Sequence, residues 1–210
     1  MPETSPTSPD GSPVQIYAFD FDGTITTKDT LALFLRYYQG PIVWGIKVIG
    51  LLPHFTLYGL KIIDRTEVKR RVMRRFFKGH ALSDIQARAD SFAADVIPAL
   101  VRPQAQKRLD ELKDKNAALY IVSASIEHYL LPWAKAQGIK TVFATQLETQ
   151  SGRLTGELFG PNVWGEGKTA RIRAEMGQTP YEIVEAYGDS EGDKPLLYAA
   201  KASFWRPFRL

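Results

Sequence analysis

Residues 14–26 read VQIYAFDFDGTIT. The first six are nearly all apolar, as a strand buried on both faces of a parallel sheet would be. The run then ends on two aspartates one residue apart, Asp20 and Asp22, followed by Gly23 and Thr24. Two like charges at the end of a buried strand have two explanations. They close the strand as an ordinary polar turn, or a cation holds them there. What decides between these is what the rest of the chain brings to the same place.

Working outward, apolar runs recur with helical patterns between them. Residues 117–122 form a second buried-strand candidate ending at Ser123-Ala124-Ser125, and residues 141–145 a third. The stretch 145–159, TQLETQSGRLTGELF, alternates about Ser151-Gly152 as a β-hairpin does. Residues 182–187 end at Gly188-Asp189-Ser190, and a last strand covers 203–205. Amphipathic helices are expected over 103–115, over 127–137 with Gly138 as a stop, from Gly167-Lys168 onward, and over 193–200. Strands alternating with helices predict an α/β fold, a Rossmann-like doubly wound parallel sheet. The mostly helical block between the first two strands is expected to be an inserted cap. The expected domains are a disordered leader over 1–13, a core of 14–27 with 101–210, and a helical cap over 28–100.

In such a sheet ligands bind beyond the carboxyl ends of the strands. Asp20, Ser123 and Asp189 each follow a predicted strand, and Lys168 opens a helix that can join them. Asp20, Asp22, Asp189 and Asp193 would then repel one another unless a cation neutralises them, and an oxygen-only ligand set with a phosphate substrate points to Mg2+. Asp193 also reads as a plain helix N-cap, and Ser123 as a strand-end turn residue. The chemistry suggested is phosphoryl transfer through a covalent aspartyl intermediate, with a second carboxylate moving the proton. Spacing alone does not say which of Asp20 and Asp22 does which. His54, His80 and His128 show no metal-binding spacing.

The series DFDGT, IVSAS, GEGKTARI and GDSEGD, in that order, resembles the four motifs of the haloacid dehalogenase superfamily of phosphatases. The helical insertion between the first two motifs resembles that of the phosphoserine-phosphatase-like branch. The resemblance implies that Asp20 is nucleophile and Mg2+ ligand, and that Asp22 is the general acid/base and offers its carbonyl to the metal. It implies that Ser123, Ala124 and Gly23 contact the phosphoryl group, that Lys168 neutralises it while holding Asp20, that Asp189 ligates Mg2+, and that Asp193 supports the site from behind. In the cap, Asp29 falls where that branch has a substrate-contacting glutamate, and Arg71 where it has a carboxylate-binding arginine. Gly192 stands where an asparagine is usual, which leaves the chemistry intact and the identity of the substrate open.

Composition narrows the class. With 44% hydrophobic and 24% charged residues the chain reads as a globular protein, and with no cysteine it excludes disulfides and thiolate chemistry. The start has no basic, apolar signal pattern, so a cytoplasmic enzyme is expected. The net charge of +4 is unevenly spread: eight basic and two acidic residues lie between Lys61 and Lys78, giving that segment +6 and everything else −2. On a helical wheel the arginines take one side and Val68, Val72, Met73, Phe76 and Phe77 the other, with Lys69 breaking the apolar stripe. Before it lies the apolar stretch 41–63, whose longest charge-free run has thirteen residues, against about 20 for a spanning helix. Three readings of the pair compete. It is a self-packed cap with solvated arginines, a peripheral contact with an anionic membrane at its inner face, or a nucleic-acid patch. No nucleic-acid motif accompanies it, so no nucleic acid is expected as partner. The substrate is expected to be a phosphorylated lipid head group, in line with a weaker resemblance to bacterial phosphatidylglycerophosphatase, or a small soluble phosphate such as phosphoserine. A non-catalytic binding protein on the same fold is a further alternative.

Overall fold

The computed structural model describes residues 12–209; the expected leader lies outside them except for its last two residues. Strands β1 (Val14–Phe19), β2 (Ala118–Ile126), β3 (Thr141–Gln150), β4 (Arg153–Phe159), β5 (Tyr181–Gly188) and β6 (Ala202–Trp205) form one sheet in the order β4-β3-β2-β1-β5-β6. Every neighbouring pair is parallel except β3–β4. The α/β, doubly wound expectation is met. β1 shows why its sequence reads as it does. Val14, Ile16 and Ala18 enter an apolar cluster with Ile172, Ile183 and Leu196 on one face of the sheet, and Phe19 joins the larger cluster on the other. Gln15 is exposed and Tyr17 half-buried, so the second face is fully covered only at Phe19, where the strand runs into the site.

Between β1 and β2 run α1 (Thr30–Gln39), α2 (Pro41–Ile49), α3 (Leu52–Gly59), α4 (Arg65–Phe77) and α5 (Leu82–Asp95). Then come α6 (Pro103–Asp114), α7 (Glu127–Ala136), α8 (Glu166–Met176) and α9 (Lys194–Tyr198). Gly40, at φ +75°, breaks the chain between α1 and α2, and Pro41 opens the latter. Asp64 caps α4 by accepting from the amide of Glu67 at 2.7 Å.

Two boundaries differ from the sequence expectation. β2 continues to Ile126, so Ser123 lies inside the strand and not beyond it. The ladder nevertheless lapses there: pairing with β1 ends at Ile121, and pairing with β3 skips from Val122 to Ile126. β3 is also one strand of ten residues running straight into the hairpin, where a short strand and a separate hairpin were expected.

That hairpin grips the helical block. Gly79 N donates to Leu154 O (2.8 Å), Leu154 N to His80 O (3.0 Å) and Leu82 N to Gly152 O (2.9 Å). Arg74 pairs with Glu157. Gly156, at φ +87°, lies so close to α4 that a Cβ there would come within 2.7 Å of Arg74 Cα.

Candidate active site

The carboxyl ends of β1, β2 and β5 open into a cavity of about 680 Å³. Asp20, Asp22, Gly23, Ser123, Ala124, Lys168, Asp189 and Asp193 line it, with Asp29, Leu31, Phe55, Tyr58, Arg65, Val68, Lys69 and Val72 from the helical block. Positions 20 and 189 therefore share one cavity although they are far apart in sequence.

Lys168 organises the floor. It is 1% exposed, and its Nζ lies 2.6 Å from Asp20 Oδ1, 2.5 Å from Asp193 Oδ1 and 2.7 Å from Val122 O. Burial opposes its charge, yet the two carboxylates hold its pKa above the ordinary lysine value. Asp20 Oδ2 accepts from Thr24 Oγ1 at 3.0 Å. Burial pushes Asp20 up to about 7 against the pull of Lys168. Asp22 accepts from Thr30 N (2.7 Å), Thr30 Oγ1 (2.5 Å) and Ser125 Oγ. Burial, then the charge of Asp29, pushes it up to about 6. A carboxyl tuned to that range can both give and take a proton near neutrality.

Oxygen atoms of Asp20, Asp189 and Asp193 lie within 4.8 Å of one another. Asp193 is already committed. Its Oδ2 accepts from Asp189 N (3.1 Å), Ser190 N (2.8 Å) and Ser190 Oγ (2.7 Å), and its Oδ1 faces Lys168. Burial opposes the charge of Asp193, but Lys168 and the Ser190 hydrogen bonds together lower its pKa. Asp193 is thus a brace, and Asp20 and Asp189 are the carboxylates with capacity for a cation. Gly23 keeps that space open. At φ +78° it favours glycine, and a Cβ there would run into the Asp189 carboxylate. An oxygen-only pair beside a backbone turn suits Mg2+. Arg209 ion-pairs with Asp189 from the chain's end.

Asp29 lines the cavity but spends its side chain capping α1, accepting from Ala32 N at 2.9 Å. Arg71 is not among the lining residues; it pairs with Glu67 at 2.8 Å, one turn back on the outer side of α4. The residue reaching inward is Lys69, which the sequence pattern had marked only as a break in an apolar stripe. Its Nζ donates to Ala124 O, to Thr145 Oγ1 (2.6 Å) and to Asn162 Oδ1 (3.0 Å). Thr24, Ser125, Thr30 and Asn162 were also missed. Thr24 and Ser125 lie inside the quoted motifs, and their hydroxyls were a usable signal. Thr30 and Asn162 gave none. The unusual Gly192 has a packing reason, since a Cβ there would collide with the indole of Trp164.

The sequence model of haloacid dehalogenase-like hydrolases matches residues 17–198. The chain belongs to that family. Among relatives of this hydrolase, Protein CicA of Caulobacter vibrioides is 34% identical over 92% of this chain and 86% of its own. A probable phosphatase of Mycobacterium tuberculosis is 26% identical over 94% of this chain and 71% of its own. A solved structure of phosphoserine phosphatase, a phospho-aspartyl intermediate analogue, superposes with a TM-score of 0.64 over 92% of this chain and 87% of that one at 17% identity, a likeness of fold. The matched range of this hydrolase takes in the DFDGT segment, where the chain turns out of β1.

Proposed function

We propose that the chain is a Mg2+-dependent phosphatase that hydrolyses phosphomonoesters through an aspartyl-phosphate on Asp20. The observation that carries this is the buried Lys168 between Asp20 and Asp193, with Asp189 beside them in the same cavity. An Asp20 carboxylate oxygen attacks phosphorus as the bond to the leaving oxygen breaks, and Asp22 gives that oxygen its proton. Asp22 then takes a proton from water, whose oxygen attacks phosphorus. The bond to Asp20 breaks, releasing inorganic phosphate. Ser123, Ala124 and the turn at Gly23 hold the phosphoryl oxygens, and Lys168 neutralises them. Asp20, Asp189 and the carbonyl of Asp22 would hold Mg2+, which when bound supplies charge stabilisation to the phosphoryl group. Residues 28–100 act as a cap over the core of 14–27 and 101–210. EDTA is expected to lower phenyl phosphate hydrolysis about 100-fold, with Mg2+ restoring it; metal-independent turnover at the full rate removes the Mg2+ assignment.

For substrate, the cap favours an amphiphile with a terminal phosphate, such as a phosphorylated lipid head group. Leu31, Phe55, Tyr58, Val68 and Val72 make the outer cavity wall apolar. α2 and α3 bury no residue and expose Ile42 (78%), Ile46, Ile49 (66%) and Leu52, with Leu60 just past α3. So many exposed large apolar residues on two successive helices favour an interaction site there. Among the described residues no single helix is long and apolar enough to cross a membrane; α2 and α3 form a pair bent by 50°. With Lys47, Lys61 and the arginines of α4 nearby, this surface suits peripheral contact with anionic lipid at the inner face of a membrane. Co-sedimentation with phosphatidylglycerol vesicles at low salt is expected for the wild type, and its loss in the Ile42→Ser/Ile46→Ser/Ile49→Ser variant. A wild type that stays in the supernatant returns the substrate to the second reading, a small soluble phosphate such as phosphoserine. Arg65 on the cavity wall favours that reading, as a cation able to face a substrate carboxylate. Phosphate release over a panel of phosphoamino acids, sugar phosphates and phosphatidylglycerophosphate separates the two.

A further inference from the structure

α4 buries Lys69, Met73, Phe76 and Phe77. The first place on this inward stripe is thus held by a lysine, where an apolar residue would cost far less to bury. Among the described residues no carboxylate pairs with its ammonium. Its three protons go to three neutral oxygens on three core segments: Ala124 O on β2, Thr145 Oγ1 on β3, and Asn162 Oδ1 ahead of α8. Burial draws its pKa down to about 7. A side chain kept at that cost holds something that packing alone does not.

What it holds is the one part of β2 that the sheet does not. Across residues 123–125 the ladder has lapsed on both sides, with the last β1 partner at Ile121 and the β3 partners skipping from Val122 to Ile126. The segment is instead fixed by side chains. Lys168 takes Val122 O at 2.7 Å. Ser123 Oγ accepts from Ser125 N at 3.0 Å. Ala124 O receives Lys69 and, at 2.9 Å, Thr145 Oγ1. Two lysines from different helices thus clamp alternate carbonyls, with Ser123 between them.

We infer that Lys69 is a positioning residue. It fastens the segment 123–125 to α4, so that the phosphoryl-binding geometry of Ser123 and Ala124 exists only while the helical block is seated. The inference rests on the proposed phosphoryl contacts of those two residues, and it extends that reading by making the block part of the site's rigidity as well as its roof.

The test compares the full-length wild type, Lys69→Met and Thr145→Val by amide hydrogen exchange and by orthovanadate inhibition of phenyl phosphate hydrolysis. In Lys69→Met, exchange at the amides of residues 123–126 is expected to rise about 10- to 100-fold while β1 and β5 keep their rates. Vanadate inhibition weakens by a similar factor, and kcat falls more than KM rises. A side chain that only fills space would speed exchange evenly across α4 and the sheet and leave kcat per folded molecule unchanged; that result, or unchanged exchange at 123–126, overturns the inference. Should Lys69→Met not fold, Thr145→Val decides. It keeps the ammonium but removes one of its acceptors and the second bond to Ala124 O, so roughly a 3- to 10-fold rise at the same amides is expected, and no local rise refutes the clamp. Exchange does not depend on turnover, so a wild type that hydrolyses no phosphomonoester sinks the phosphatase reading without touching this measurement.

Discussion

Asp20→Asn is expected to lower kcat for phenyl phosphate by about 10⁴-fold or more, while leaving the fold intact. The carboxylate oxygens of Asp20 are held from two sides, by Lys168 at 2.6 Å and Thr24 at 3.0 Å. Asparagine keeps the shape and the contact to one donor but offers no oxygen that can form and later release a bond to phosphorus. Stability is expected to move the other way. Burial raises the Asp20 pKa to about 7, so its folded value lies above its unfolded one. As pH rises between those two values, the unfolded chain releases this proton more readily than the folded one, and stability falls. A neutral isostere escapes that loss. Because Asp193 still pairs with Lys168 in the variant, the melting temperature of Asp20→Asn in metal-free buffer at pH 8 should equal or exceed that of the wild type. Full activity in the variant would remove the covalent mechanism; a collapsed fold would show that Asp20 is structural.

Lys168→Met should damage both activity and stability. The ammonium sits at 2.6 Å and 2.5 Å from two carboxylates that are themselves buried. Removing one partner of a buried ion pair leaves uncompensated charge and costs about 3–5 kcal/mol, which in a chain of this size lowers the melting temperature by on the order of ten degrees. Phenyl phosphate turnover is expected to fall about 10³-fold, because Asp20 loses its anchor and the phosphoryl oxygens lose their counter-charge. Adding Asp193→Asn to Lys168→Met should recover part of the stability and none of the turnover, since it removes one stranded carboxylate without replacing the cation. Equal stability of the single variant and the wild type would contradict the burial of this triad.

The sheet was legible because burial on both faces writes itself into sequence as unbroken apolar runs, and the β1 bounds came out unchanged. Asp20, Lys168 and Asp189 were legible because a parallel sheet carries every strand end to one edge. Lys69 was not. Its acceptors lie 55, 76 and 93 residues away, and a helical wheel can show a lysine breaking an apolar stripe without showing what it reaches. Arg71 drew the eye in its place, as an arginine on the same helix, but two residues of helix turn it outward to Glu67. Asp29 was placed at the cavity, while its use as the α1 cap depended on where that helix began. Ser123 was expected just past its strand. It lies inside β2, where the ladder fails, and such a lapse depends on neighbouring strands that one segment cannot report.

The stitching of the β3–β4 hairpin to residues 74–82 also limits how far the helical block can move. The block is held at more than this seam, since α5 packs on α7, Gln86 donates to His128 O at 3.0 Å and Lys69 reaches Ala124 O on β2, so the hairpin alone is no pivot for it. A covalent tether between α4 and β4 would therefore only repeat a seam already sewn.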